Sequence, residues 1–117
     1  MHRRCCRALI GIYVFGAHTQ TVPADWSMTT ESHHAFEILI VLDGAQETRM
    51  DHEQFIVNSD DILLIPPGFE HTNKCISATS MTYFCAHFDI DEPSLRMRIM
   101  KKTVTGSIRP PICIIAS

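Results

Sequence analysis

Short apolar stretches recur along the chain at intervals of about ten residues, separated by polar breaks rich in turn formers, which is the rhythm of strands joined by loops. The clearest is Phe36 to Leu42, where alternation puts Glu37, Leu39 and Val41 on one face and Phe36, Ile38, Ile40 and Leu42 on the other. It predicts a central strand covered on both faces, with one carboxylate carried into apolar surroundings. Asp43-Gly44 then reads as a hairpin turn, and Ala45 to Met50 as a more polar return strand. Further strands are expected at Gln54 to Val57 and Asp61 to Ile65, the latter stopped by Pro66-Pro67-Gly68. Residues 72 to 80 are a loop or short strand. Met81 to Phe88 is the last clear strand, with Met81, Tyr83, Cys85 and His87 on one face.

The ends carry weaker patterns. Ile10 to Phe15 predicts a short first strand, and polar Thr19 to Asp25, broken by Pro23, an arm or second strand leading to Trp26. Trp26, the single tryptophan, is expected to anchor this arm on the body of the domain, with stacking on a ligand as its alternative role. Asp89 to Glu92 cap a helix starting at Pro93, predicted to last a turn or two, and Thr103 to Ser117 reads as an irregular tail. The expected organisation is a leader and arm over 1–25, a β-barrel over 26–92, and a short helix and tail over 93–117. Strands without intervening helices point to an all-β fold, a small antiparallel barrel or jelly roll.

Composition narrows the class. A chain of 117 residues supports one modest core. Its formal charge of −3 supplies no domain-wide basic field to hold a phosphate backbone, so this segment is not expected to bind DNA itself. The five cysteines form no paired metal or redox spacing and read as reduced thiols, which suggests the cytoplasm. Arg3, Arg4 and Arg7 before the apolar run from Ala8 superficially resemble a secretory signal; Gly11, Gly16 and the strand-like Tyr13-Val14-Phe15 favour a loose basic leader and a first strand instead. No stretch is long enough to cross a membrane as a helix.

The candidate chemistry lies between Glu31 and His71. Glu31, His33 and Glu37 open this stretch and His71 closes it after the Pro-Gly bend, a set of nitrogen and oxygen donors suited to a metal ion or a polar ligand. Glu31 and His33 are expected to share a strand face, with His34 turned the other way.

These residues resemble the two cupin motifs. His33, Glu37 and Gly44 match the second histidine, the glutamate and the closing glycine of the first, with Glu31 where its first histidine would stand and Asp25 in place of its leading glycine. Pro66, Gly68 and His71 match the second motif, with Asp60 and Cys75 replacing its glycine and asparagine. The resemblance implies a double-stranded β-helix and a metal set of His33, Glu37, His71 and Glu31, taking Fe, Mn, Ni or Zn.

A narrower resemblance, carried by Tyr13 to His18, Asp25 to Met28, His33 to Glu37, Asp61 to His71 and His87 to Asp91, is to the N-terminal sensor domain of AraC-type transcriptional regulators. It implies a small-molecule effector, with sugars among the candidates, held by His33, Glu37, His71, Glu31, Trp26, Tyr83 and His87. It implies a domain that is not an enzyme and needs no cofactor; the alternative is a small metal-dependent cupin enzyme of dioxygenase or isomerase type. The resemblance implies that DNA would be reached only through a C-terminal helix-turn-helix part absent here, so that the chain is expected to be a fragment or a truncated product, and that a homodimer would form through helices after the barrel.

Overall fold

A computed structural model describes residues 11–50, 52–105 and 113–116. The basic leader expected over residues 1–7, and Cys5-Cys6 within it, lies outside them. Among the described residues there are eight antiparallel strands and one helix: β1 (Ile12–Pro23), β2 (Phe36–Asp43), β3 (Ala45–Met50), β4 (Glu53–Asn58), β5 (Asp61–Ile65), β6 (His71–Cys75), β7 (Ser80–Ile90), α1 (Pro93–Thr105) and β8 (Cys113–Ala116). One sheet has the order β1-β7-β2-β5-β8, the other β4-β3-β6. This is the all-β antiparallel architecture expected from the strand rhythm, in the double-stranded β-helix form that the cupin resemblance implies.

The expected hairpin at Asp43-Gly44 is a corner instead. β2 and β3 never pair: β3 crosses to the second sheet and pairs with β4 and β6. Gly44 makes the crossing because the chain turns there at a φ of +93° and passes against Ser77 and the Ser80 carbonyl, leaving no room for a side chain. The return crossing at Asn58 to Asp61 puts Asp60 at a φ of 73°, its amide held by the Val41 carbonyl at 2.7 Å.

Alternation fills the space between the sheets. Leu39 and Val41 from β2, Leu63 and Ile65 from β5 and Met81 from β7 face Met50, Phe55 and Val57 of the other sheet, and all are buried. Burial of each such side chain contributes roughly 1.5–3 kcal/mol. The outer face of β2 departs from the expectation of full cover. Phe36 alone is closed over, stacked on Phe88 with centroids 5.5 Å apart and capped by the Arg96 guanidinium from α1. Ile38 and Ile40 stay half-buried and Leu42 is exposed.

β1 and α1 are both longer than their patterns suggest. β1 runs unbroken for 12 residues, absorbing its irregularity as a bulge between Val14 and Gly16, because β7 offers a continuous partner from Ser80 to Ile90. α1 has 13 residues rather than a turn or two: Glu92 accepts from the Leu95 amide at 2.7 Å, and Arg96 reaches Asp89 at 3.1 Å. Within the expected tail, Cys113–Ala116 pairs with β5. Among the described residues no helix is long and apolar enough to cross a membrane.

Candidate functional site

The chemistry gathers on Glu37. β2 carries its side chain inward at the barrel mouth, 5% exposed, with His87 of β7 as its cross-strand partner. His71, buried at the start of β6, approaches from the opposite sheet. His33 arrives on the connector before β2. Its carbonyl is held by the Gly68 amide at 2.9 Å, so the Pro-Gly bend positions both His33 and His71.

Glu37 Oε1 is the point of convergence. It lies 3.0 Å from His33 Nε2, 3.3 Å from His71 Nε2 and 3.7 Å from His87 Nε2. The thiol of Cys85 donates to the other oxygen, Oε2, at 3.0 Å. The rings of His33 and His71, and of His33 and His87, meet edge to face.

Two backbone carbonyls fix which ring nitrogens face the carboxylate. His33 Nδ1 donates to Ala35 O at 3.0 Å and His71 Nδ1 to Phe69 O at 3.1 Å, because a carbonyl only accepts. Nε2 of each is thereby turned to Glu37. The His71 Nε2 contact is close but poorly aligned for a hydrogen bond, so this buried nitrogen has no well-directed partner.

Electrostatics follow from the packing. Burial pushes the Glu37 carboxyl up, but the close approach of the His71 imidazole, the hydrogen bond from Cys85 and the charges of His71 and His87 overcome it and hold the pKa at about 2. Burial pulls His71 down, and its close contact with Glu37, its bond to the Phe69 carbonyl and the charges of Glu37 and Glu31 raise it overall. The Cys85 thiol is driven up by burial and then by Glu37, so it stays protonated. Burial also raises Tyr83, followed by the nearby Cys85, Glu37 and Glu31.

The expected residues divide into two neighbouring groups. His33, Glu37 and His87 form one triad of donor atoms within 4.8 Å of one another, and Glu31, His33 and His71 a second. Glu31 does not sit on a strand with His33 as expected. The polar connector offers no apolar alternation to bury, and it pairs with the second sheet through isolated bridges at Ser27 and Glu31, the latter to His71 with both bonds at 2.9 Å. His34 is exposed on the connector, lining the open outer pocket.

Below the cluster a chamber of about 220 Å³ is walled by His18, Trp26, Met28, Asn73, Tyr83 and Leu39. It shares Glu31 and His87 with a broad vestibule that is open to solvent. Trp26 packs beside Tyr83 with centroids 5.8 Å apart, and the Tyr83 hydroxyl donates to Gln20 on β1 at 2.8 Å. The volume is below the roughly 300–1,000 Å³ of clefts for drug-sized ligands, so it suits a small one.

Sequence reading missed Cys85, Asn73 and His18 as parts of this site. Alternation on β7 already put Cys85 on the His87 face, whereas Asn73, two residues after His71, needed the inward face of β6 to be known. Asn73 is buried, accepts from Thr48 at 2.8 Å and spends its amide hydrogens on the weakly accepting Met28 sulfur at 3.3 Å.

The family model of the AraC-like ligand binding domain matches residues 15–101. The chain belongs to this family. Its fold is similar to that of a cupin protein from Bacteroides fragilis, with 23% identity, a TM-score of 0.59, and 70% of this chain and 69% of that one covered. It is similar also to a predicted oxalate decarboxylase from Thermotoga maritima, with 14% identity, a TM-score of 0.60, and 74% and 73% covered. A third similar fold is the cupin domain of Schizosaccharomyces pombe Cnp3, with 15% identity, a TM-score of 0.60, and 76% and 69% covered. No curated protein matches the chain in sequence.

Proposed function

We propose that this chain is the effector-sensing domain of a cytoplasmic transcriptional regulator and takes a small polar molecule, such as a sugar, into the chamber under Glu37. The observation that supports this most is the pairing of an ionised, buried carboxylate with an aromatic wall of Trp26 and Tyr83 in a chamber of about 220 Å³. Glu37, His33, His71 and His87 would bind the polar groups of the ligand, Trp26 and Tyr83 its apolar face, and Glu31 would guard the entrance. Ligand contact with β1 through His18 and the Gln20–Tyr83 bond would bias the arm between positions, passing the signal to a DNA-binding part elsewhere in the regulator. The exposed side of α1, with Met97 69% accessible, suits a homodimer contact. Titration of the single Trp26 with a panel of monosaccharides, hydroxy acids and amides tests the proposal. A saturable fluorescence change that His33→Ala abolishes is expected, and a change that survives in His33→Ala would count against it.

A second reading, a metal-dependent cupin enzyme, is favoured by the two backbone-anchored histidines and the poorly partnered Nε2 of His71. His33, Glu37 and His87, or His33, His71 and Glu31, fit the donor set of Fe, Mn, Ni or Zn, with the Ala35 and Phe69 carbonyls already orienting two rings. A bound ion would act as a Lewis acid on a substrate oxygen. Elemental analysis separates the readings: near-stoichiometric metal lost in both Glu37→Ala and His71→Ala would favour the enzyme.

A further inference from the structure

The two oxygens of Glu37 are used unequally. Oε1 meets three imidazoles, whereas Oε2 is turned away from them onto the thiol of Cys85. We infer that Cys85 is a positioning residue, whose S–H holds Oε2 at 3.0 Å so that Oε1 alone is presented to His33, His71 and His87. The inference rests on the reading of the Glu37 cluster as a binding centre, for a ligand or a metal.

Geometry carries it. β7 pairs with β2 so that His87 stands opposite Glu37 and Cys85 opposite Leu39, one inward position further along the same face. Cys85 therefore reaches the carboxylate diagonally, from the side away from the histidines. Both residues are buried, at 4% and 5% exposure, so the contact is shielded from bulk solvent. A carboxylate's last torsion is broad and roughly two-fold, so a glutamate without such a tether would rotate between its oxygens or offer both. A core filler of similar size, such as valine, would give the barrel the same volume and no tether.

Among the described residues, the Cys85 sulfur lies in neither triad of convergent donor atoms, and its contact is with Glu37 Oε2.

Cobalt(II) alone, added to the full chain, is the probe, with its visible spectrum and its affinity as readouts. Cys85→Ser keeps a donor, Cys85→Ala removes it, and Cys85→Val replaces Cys85→Ala should that variant not fold by circular dichroism. Removing an outer-shell partner of a ligating group typically costs 10–100-fold in metal affinity, and that loss is expected for Cys85→Ala, with Cys85→Ser restoring both affinity and spectrum. Unchanged affinity in Cys85→Ala, or a thiolate-to-cobalt charge-transfer band in the wild-type protein, would overturn the inference. If the wild-type protein takes up no cobalt, the metal reading fails while the tether is still tested by ring-nitrogen NMR of the metal-free protein. Displaced His33 and His71 signals in Cys85→Ala that return in Cys85→Ser are expected there. Signals that do not move would overturn it.

Discussion

His71 Nε2 stands 3.3 Å from Glu37 Oε1 across the mouth of the barrel, joining β6 of one sheet to β2 of the other where the two side chains are 0% and 7% exposed. The contact clamps the sheets together at the place where a ligand would enter. Its two partners titrate in opposite directions, which gives the domain a definite pH signature.

Stability should peak in a window set by this pair. Glu37 is held at about 2 against an ordinary 4.5, so its contribution is complete above about 4.5 and is lost as pH falls towards 2. That contribution is on the order of 3 kcal/mol. His71 is raised above its ordinary 6.5, so its contribution is complete below that value and is lost as pH climbs through the raised pKa. Urea denaturation from pH 2 to 9 should show both flanks, and the acid flank should shrink in Glu37→Gln.

Glu37→Gln removes the charge that three imidazoles and a thiol surround. A destabilisation of about 3–5 kcal/mol is expected, the usual cost of breaking one side of a buried ion pair. Chemical denaturation at pH 6 measures it, and a loss below 1 kcal/mol would show that the cluster carries little of the folding energy.

Gly44→Ala should be costly although the residue is far from the site. A Cβ there would meet Ser77 Oγ at 2.5 Å and the Ser80 carbonyl at 2.7 Å, in a left-handed conformation that L residues rarely adopt. A loss of roughly 1–3 kcal/mol is expected in thermal or denaturant melts. An unperturbed melt would mean that the sheet-to-sheet corner relaxes freely.

Tyr83→Phe tests the link from chamber to arm. It deletes the hydroxyl that donates to Gln20 at 2.8 Å and should cost about 1 kcal/mol. Hydrogen exchange of β1 amides should quicken in the middle of the strand, and unchanged exchange would show that the bond does not hold the arm.

Legibility differed by kind of information. Alternation along β2, β5 and β7 revealed the strands and the inward faces, including that of Tyr83, Cys85 and His87, because a two-residue period is local. The meeting of Glu37 with His87 and Cys85 depends on the register of β2 against β7, set by the whole core and by no single segment. The corner at Gly44 read as a hairpin because the same residues serve a tight turn and a crossing between sheets. Glu31 was expected on a strand, yet its polar neighbours give a sheet nothing to bury. The length of α1 was hidden because its stability comes from Asp89, Glu92 and contact with Phe36 rather than from its own periodicity.

The account is tested most directly by comparing two buried carboxylates. Glu47, 7% exposed, pairs with Arg49 at 2.8 Å on the outer face of β3, whereas Glu37 faces the chamber. Melting temperatures of the wild-type, Glu37→Gln and Glu47→Gln proteins should be measured with monosaccharides, hydroxy acids and amides. A ligand at about 100 times its Kd should stabilise the wild-type and Glu47→Gln proteins by roughly 2.7 kcal/mol and leave Glu37→Gln unmoved. A ligand that stabilises all three alike would contradict the assignment of the binding centre to Glu37.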